Sequence, residues 1–577
     1  MNTLNRLTTR AVVLCGISVL LPLSSQAWEP NAKDRDAAIA GGDFAGYFTN
    51  LSTWLGQKVP ADPGKISAAA LTGLLEDQAF VNALDQRQFI AKLGADELGT
   101  FAKSDPGNRE LLEWILNDTG LMDPFLQSAG PTPIQARDDN AYSVSPKTLD
   151  IWRKILKADP EAKYGIHRKL AMATAIAPPR GIGAGSADTL ADPVDRYLYV
   201  KNAHKNKELV PSFDHLTVWE YTKVVSSGAS DSDLTWAREM INTWRPDLKH
   251  KEQVIESTRE VWRRAAPAQF YPGGYGNFRN VLAGGGKCGP RSSWAVMICQ
   301  AFGIPAIGVG QPAHACAAAK SAYPEVQPQP GSAWKVHQGG GWQVSKLDGT
   351  TGLLFLEAVA ERAHPAEFAQ IEHLRWLAST LAAPEQAAAV RAVAAKIREA
   401  LTPTTPTPAP EATPKPEGVT GSAASAALPP PAVAEEPFKA VPGTIHIEAE
   451  TFSNSFIEAA FPNEQKSCVY VLDCSTGGKQ LNFQRNMKTC WVEYTVDVPE
   501  SGTYGLVARV AVVNVDQILD VSLGESKLAT IEIPITWGVW TTTEPVEVKL
   551  SKGSQTLRIS APMQRGVAIR WFELKAK

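Results

Sequence analysis

The chain has 577 residues, enough for roughly three to four domains, and its 44% apolar content suffices for ordinary cores. Its 57 lysines and arginines against 60 aspartates and glutamates leave a formal charge of −3, so no basic field points to nucleic acid. No stretch beyond the N-terminus is apolar for long enough to span a bilayer, which excludes a transmembrane segment there.

In chain order, the first segment is "MNTLNRLTTRAVVLCGISVLLPLSSQAWEP". Arg6 and Arg10 precede an apolar run from Ala11 to Leu23, and Ser25-Gln26-Ala27 offers small residues at the −3 and −1 positions of a cleavage site. This predicts a secretory signal over residues 1–27 and an exported protein, periplasmic, cell-surface or extracellular. Pro22 interrupts a run already short for a span, and Cys15 follows Val13-Leu14 rather than the small residue that a lipoprotein site needs.

Residues 28–254 carry helical periodicity. "ISAAALTGLLEDQAFVNALDQRQFIAKL", "GNRELLEWILNDTGLMDPFL", "SPKTLDIWRKIL" and "DLTWAREMINTWRPD" place apolar residues three and four apart. Ser145 before Pro146, and Ser232 or Asp233 before Leu234, read as helix caps. Residues 255–400 read as an α+β unit that ends in two helices, "HPAEFAQIEHLRWLAST" and "PEQAAAVRAVAAKIREAL", the second starting at Pro384.

Residues 401–443 are rich in proline, threonine and alanine, with almost nothing to bury, and read as an extended tether. From residue 444 to 577 the period changes to two: "TIHIEAE", "CWVEYTVDVP", "TYGLVARVAVV", "ILDVSLG", "PVEVKLSKG", "QTLRISA" and "VAIRWFELK". Short alternating strands between Gly, Pro and Ser turns predict a β-sandwich of the jelly-roll kind. The fold class is therefore multidomain: a helical region, an α+β centre, a tether and a sandwich.

With Cys15 removed alongside the signal, six cysteines remain, three in the centre (Cys288, Cys299, Cys316) and three in the sandwich (Cys468, Cys474, Cys490). An odd number in each region leaves at least one free thiol in both. No spacing matches a CxxC zinc pattern and the nine histidines are scattered.

The chemistry concentrates in "GGGKCGPRSSWAVMICQAFGIP", residues 284–305. Pro290 suits the first turn of a helix and Gly303 its C-cap, so Cys288 falls at the helix start, where unpaired N–H groups and the dipole favour thiolate. Downstream, "IPAIGVGQPAHACAAAK" reads as a strand from Ala306 to Gly310, a turn, and a second strand that opens at His314. Alone, Cys288 could be a small residue packed in a glycine-rich turn and His314 an ordinary strand histidine. Together they suggest a nucleophile and its proton carrier. Cys299 on the apolar helix side and Cys316 beyond His314 read as packing residues, and His337 as the end of an exposed hairpin.

The run "GKCGPR" through "AFGIPAIGVGQPAHA", with the tryptophan strand-turn-strand "GSAWKVHQGGGWQVSKLDG", resembles the transglutaminase-like superfamily of papain-like fold over residues 255–360. The resemblance implies a Cys288–His314–Asp348 triad with no cofactor. The thiolate attacks an amide carbonyl of a peptide or amide substrate, His314 protonates the departing amine, and water or an amine resolves the thioester. Hydrolysis and acyl transfer share that machinery.

"IHIEAETF", "CWVEYTVDVPESGTYGLVARVA", "IPITWGVWTTTEPVEVKLSKGSQTLRIS" and "IRWFELK" resemble carbohydrate-binding modules of the family 6 and 35 type. This implies a polysaccharide or glycoconjugate partner, with Trp537 as stacking platform, Phe483 as a second one, and a structural calcium at Glu448 and Glu450. The chain departs from the pattern at Ala568, where the modules carry a sugar-binding asparagine, and at Arg570, where they carry an acid near the calcium. Trp491, Trp540 and Trp571 read as core residues. The competing reading is a non-catalytic glycan-binding or surface-associated protein that keeps the central fold only.

Overall fold

The computed structural model describes residues 28–129, 144–179, 191–250, 253–258, 278–284, 288–311, 314–320, 334–337, 344–345, 358–359, 361–401, 443–457, 469–483, 489–513, 517–562 and 566–577. The signal segment, most of the tether and Asp348 lie outside them.

Among the described residues the N-terminal unit is all helix, and most of its helices start on short polar side chains. Asp77 accepts from the Ala79 N–H ahead of helix Gln78–Leu93, and Asp118 from the Gly120 N–H ahead of helix Thr119–Ser128. Ser145 opens helix Pro146–Ala158 with Thr148 in a reciprocal capping box, as the Ser-Pro pair predicts. The apolar faces meet around Phe89, Phe125 and Trp152, the last two stacked with ring centres 5.9 Å apart. Helices Pro365–Thr380 and Pro384–Leu401 return to this core through Leu374, Trp376, Leu377, Val390 and Ala394. The two helices that end the predicted 255–400 unit thus pack with the N-terminal unit, because their apolar stripe fits its open side.

The central unit packs helix Asp231–Trp244 against helix Cys288–Ala301, with Trp236, Met240, Trp294, Ile298 and Phe302 between them. The cap of the first of these helices, Ser230, lies two to three residues before the expected caps. Ser230 accepts from the Asp233 N–H, and Asp233 turns its carboxylate to Arg279 instead. The second ends as the sequence predicts. Gly303 has φ +78°, its N–H reaches Gln300 O and the Ile304 N–H reaches Cys299 O, a Schellman motif.

That helix lies on a four-stranded antiparallel sheet of β1 (Ala306–Gln311), β2 (His314–Lys320), β3 (Trp334–His337) and β4 (Val344–Ser345), in the order β3-β2-β1-β4. The two tryptophan-segment strands were expected as one hairpin. They pair instead on opposite sides of the β1–β2 hairpin, which holds the centre of the sheet.

The sandwich has β5 (Thr444–Glu448), β6 (Asn454–Ile457), β7 (Val469–Asp473), β8 (Lys479–Phe483), β9 (Cys490–Val498), β10 (Gly502–Val512), β11 (Gln517–Leu523), β12 (Ser526–Ile533), β13 (Thr541–Thr542), β14 (Val546–Leu550), β15 (Gly553–Ala561) and β16 (Val567–Ala576). One sheet runs β13-β10-β16-β8-β7, with β14 on β10 and β5 on β16, and the other runs β12-β11-β15-β9-β6. Strand β9 buries alternate residues from Cys490 to Val498, the two-residue period read from sequence.

The sandwich is also seated on the central unit. Its β8 is buried on both faces. Leu481 and Phe483 enter the sandwich core, while Gln480 and Asn482 donate to the carbonyls of Thr243 and Trp244 at the end of helix Asp231–Trp244. The last carbonyls of a helix lack intrahelical partners, so the sandwich caps that helix. Beside them Trp236 Nε1 donates to Trp537 O at 2.9 Å, and Val513 joins the core of the central unit.

Candidate functional site

Cys288 is the first residue of its helix, half-buried, with a free thiol. Two bonds set the helix direction on the sheet. Ser292 Oγ donates to Cys316 O, and Gln300 Nε2 donates at 2.8 Å to Lys223 O and at 3.3 Å to Ala306 O, which pairs with Ala319 across the sheet. Eight helical residues rise about 12 Å and three strand residues about 10 Å, so helix and β2 run the same way. The helix start at Cys288 and the strand start at His314 therefore lie at the same end of the layer. Ser292, which makes this alignment, was missed in the sequence because a serine one turn into an apolar helix carries no signal.

Cys299 is fully buried, and burial pushes its thiol far up. Cys316 is buried beside Ile307, Ala318 and Trp334, so both are packing residues as expected. The proposed orienting acid, Asp348, lies outside the described residues. In the sandwich Cys490 is disulfide-bonded and Cys474 is free, in accord with an odd cysteine there.

The sugar-platform residues fall differently. Phe483 is 1% exposed within the sandwich core, so it offers no platform. The two-residue alternation of β8 points it inward, opposite Gln480 and Asn482. Trp537 is half-buried in a tight turn with φ +56°, followed by Gly538 at φ +77°, and it packs against the core of the central unit. A side chain on Gly538 would run into Met240. Trp540 is buried, while Trp491 and Trp571 are only half-buried. Trp491 stacks on Phe456 at 5.7 Å between ring centres, under the Arg558 guanidinium. Phe456 is 47% exposed, so this pair forms an aromatic surface on the β6–β9 edge. Period-two reading missed it because Trp491 follows a buried cysteine and precedes a buried valine.

The calcium expectation meets a guanidinium. Arg570 Nη1 donates to Glu448 Oε2 at 2.8 Å and to Lys479 O at 2.6 Å, and its Nη2 donates to Gly477 O at 2.9 Å. The carboxylate and both turn carbonyls, oxygens of the type a hard dication takes, already face a cation. At Glu448, then, the guanidinium stands where the expected ion would bind. Glu450 keeps a buried Oε2 without a hydrogen-bond partner. Among the described residues, no helix is long and apolar enough to cross a membrane.

The family model of the carbohydrate binding module (family 6) matches residues 460–576. No curated protein matches the chain. Among solved structures, the C-terminal module of LamC, a laminarinase of Zobellia galactanivorans, is 25% identical over 23% of this chain and 98% of its own, with a TM-score of 0.19. A module from Cellvibrio mixtus lichenase 5A, in complex with cellotriose, is 26% identical over 23% of this chain and 97% of its own, also with a TM-score of 0.19. A family 35 module from Clostridium thermocellum is 17% identical over 23% and 98%, with a TM-score of 0.18. What the comparisons give is therefore one match within the sandwich, of residues 460–576 to the family 6 carbohydrate binding module.

Proposed function

We propose that the protein is an exported, glycan-targeted cysteine enzyme of the transglutaminase-like kind. Cys288 would act as nucleophile on a peptide or amide substrate, and His314 as proton carrier, with Asp348 as orienting acid. The observation that carries this reading is the common end shared by the Cys288 helix start and the His314 strand start, fixed by Ser292 and Gln300. Helix-start N–H groups there would hold the oxyanion formed when the thiolate adds to the amide carbonyl.

The glycan reading rests on the family match of the sandwich. Because Trp537 packs against helix Asp231–Trp244, the exposed Phe456–Trp491 surface is the better platform for a sugar face. Titration with cellotriose should give weak saturable binding, lost in Phe456→Ala and kept in Trp537→Ala; the reverse pattern would move the platform to Trp537.

The enzyme reading is tested by the rate of Cys288 alkylation with iodoacetamide against pH, followed by mass spectrometry in wild type and His314→Ala. Labelling that stays fast well below pH 8 and slows in the variant supports a thiolate–imidazole pair. An ordinary thiol profile in both proteins sinks the enzyme. The non-catalytic glycan-binding reading would then stand on the sandwich alone.

A further inference from the structure

Away from both sites, three helices of the N-terminal unit bring together Asp85, Asp123 and His373. They come from helices Gln78–Leu93, Thr119–Ser128 and Pro365–Thr380. His373 Nε2 stands 3.1 Å from Asp85 Oδ1 and 3.0 Å from Asp123 Oδ1. Asp85 is wholly buried, His373 is 6% exposed, and the Asp123 side chain is 26% exposed.

The donors do not match the acceptors. One imidazole nitrogen carries at most one hydrogen, yet two carboxylate oxygens converge on it. Asp85 Oδ2 is buried with no hydrogen-bond partner, and Oδ1 faces only His373 Nε2 within the cluster. An unpaired buried carboxylate oxygen is costly. A proton on His373 would supply one charge and one hydrogen to two carboxylates and leave Asp85 Oδ2 without a partner, whereas a dication where the three side chains meet would serve both carboxylates.

We propose that Asp85, Asp123 and His373 bind a first-row transition-metal dication of the zinc or manganese kind, through the Nε2 lone pair of neutral His373 and an oxygen of each carboxylate. Nitrogen and carboxylate ligands hold such ions at about 2.0–2.2 Å, so two ligands lie about 3.0 Å apart at the right angles of an octahedral site and about 3.4 Å apart in a tetrahedral one. The observed separations are 3.0 and 3.1 Å, and the three ligand atoms all lie within 4.8 Å of one another. An imidazole beside two carboxylates favours a borderline ion over magnesium or calcium. Two aspartates and a dication also leave the buried cluster neutral.

The half-exposed ligand gives the ion its way in. The Asp123 side chain is 26% exposed, and water reaching it would complete the coordination. The site also has a structural consequence. His373 comes 288 residues after Asp85, on the helix that returns to the unit from beyond the central domain, so the ion would fasten that return. Metal affinity of such a site appears as folding stability.

The full-length protein, stripped with EDTA, would be titrated with Co2+ and Zn2+. The expected result is one equivalent of Co2+ per chain, a visible d–d absorption band, and a melting temperature raised by Zn2+ but not by Mg2+. Asp123→Ala, with its side chain at the surface, should fold and lose the band. Should that variant not fold, Asp123→Asn keeps the shape and should weaken Co2+ binding more than about tenfold. A stripped wild type that keeps its circular dichroism, takes up no Co2+ and does not shift with Zn2+ overturns the proposal. So does a folded variant that binds as tightly as wild type.

Discussion

The sandwich and the helical unit each gather carboxylates at one point, and they meet the charge in opposite ways. Around Glu448 the protein supplies its own cation: Arg570 aims three N–H bonds at the carboxylate and at two turn carbonyls. Around Asp85 a single imidazole nitrogen faces two carboxylates, and a third oxygen faces nothing. A guanidinium brings a fork of donors and a fixed charge, which makes an ion redundant. An imidazole brings one hydrogen, which leaves room for one. The helical unit holds its own control in Asp159, a buried aspartate whose Oδ2 accepts from Tyr197 at 2.5 Å and Lys201 at 2.6 Å while Oδ1 accepts from the Glu161 N–H. The same residue type, also buried, is fully served there.

The largest effect is expected from taking that service away. Lys201→Met leaves Asp159 buried without its ammonium and should cost about 3 kcal/mol at neutral pH, read by urea unfolding. The pH dependence follows from the carboxyl. Burial pushes Asp159 up, but the Lys201 ammonium and the Tyr197 hydroxyl outweigh it and hold it below the usual range. A carboxyl depressed in the folded state stabilises above its unfolded pKa of about 3.9 and loses that contribution as pH falls through the folded value. The gap between wild type and Lys201→Met should therefore be wide at pH 7 and narrow in acid. A gap that does not change with pH would break the account of Asp159.

Next comes the sandwich. Arg570→Ala should lower its stability by about 2 kcal/mol through lost charge-assisted bonds. Millimolar Ca2+ should restore part of this in the variant, since the vacated oxygens are those a hard cation takes. Wild type should melt at the same temperature with and without EGTA. A drop on EGTA treatment of wild type would overturn the claim that the guanidinium stands where a dication would. The smallest effect, about 1 kcal/mol, is expected for Gln480→Ala, which frees the Thr243 carbonyl and should loosen the seat of the sandwich. Faster proteolysis of the tether is the readout, and unchanged cleavage would mean that the cap contributes nothing to docking.

Local signals in the sequence were legible and convergent ones were not. Ser145-Pro146, Pro384 and Gly303 each mark a helix end through a bond made within four residues, and the structure places all three as read. Ser230 was passed over because four successive cap-forming residues, Ser230 to Asp233, compete, and the choice is made by distant Arg279 claiming Asp233. The sandwich strands followed from alternation. The same alternation hid the role of β8, where Gln480 and Asn482 look like a solvent face but serve the end of a helix more than 230 residues earlier. Cys288 and His314 could be paired in the sequence because helix start and strand start follow one another. Asp85, Asp123 and His373 share no motif, and only the packing of three helices brings them together.

The cap that Gln480 and Asn482 place on helix Asp231–Trp244 bears on reach. A tether of roughly 40 residues could let a freely swinging module roam about 120 Å when extended, and a thiol on such a leash would sample a wide neighbourhood around any anchored polymer. A module bolted to the helix end removes that freedom. The distance and bearing from the Phe456–Trp491 surface to Cys288 become fixed, so an anchored molecule would address one spot on its support, like a stylus in a holder, and would have to let go of the support to address another.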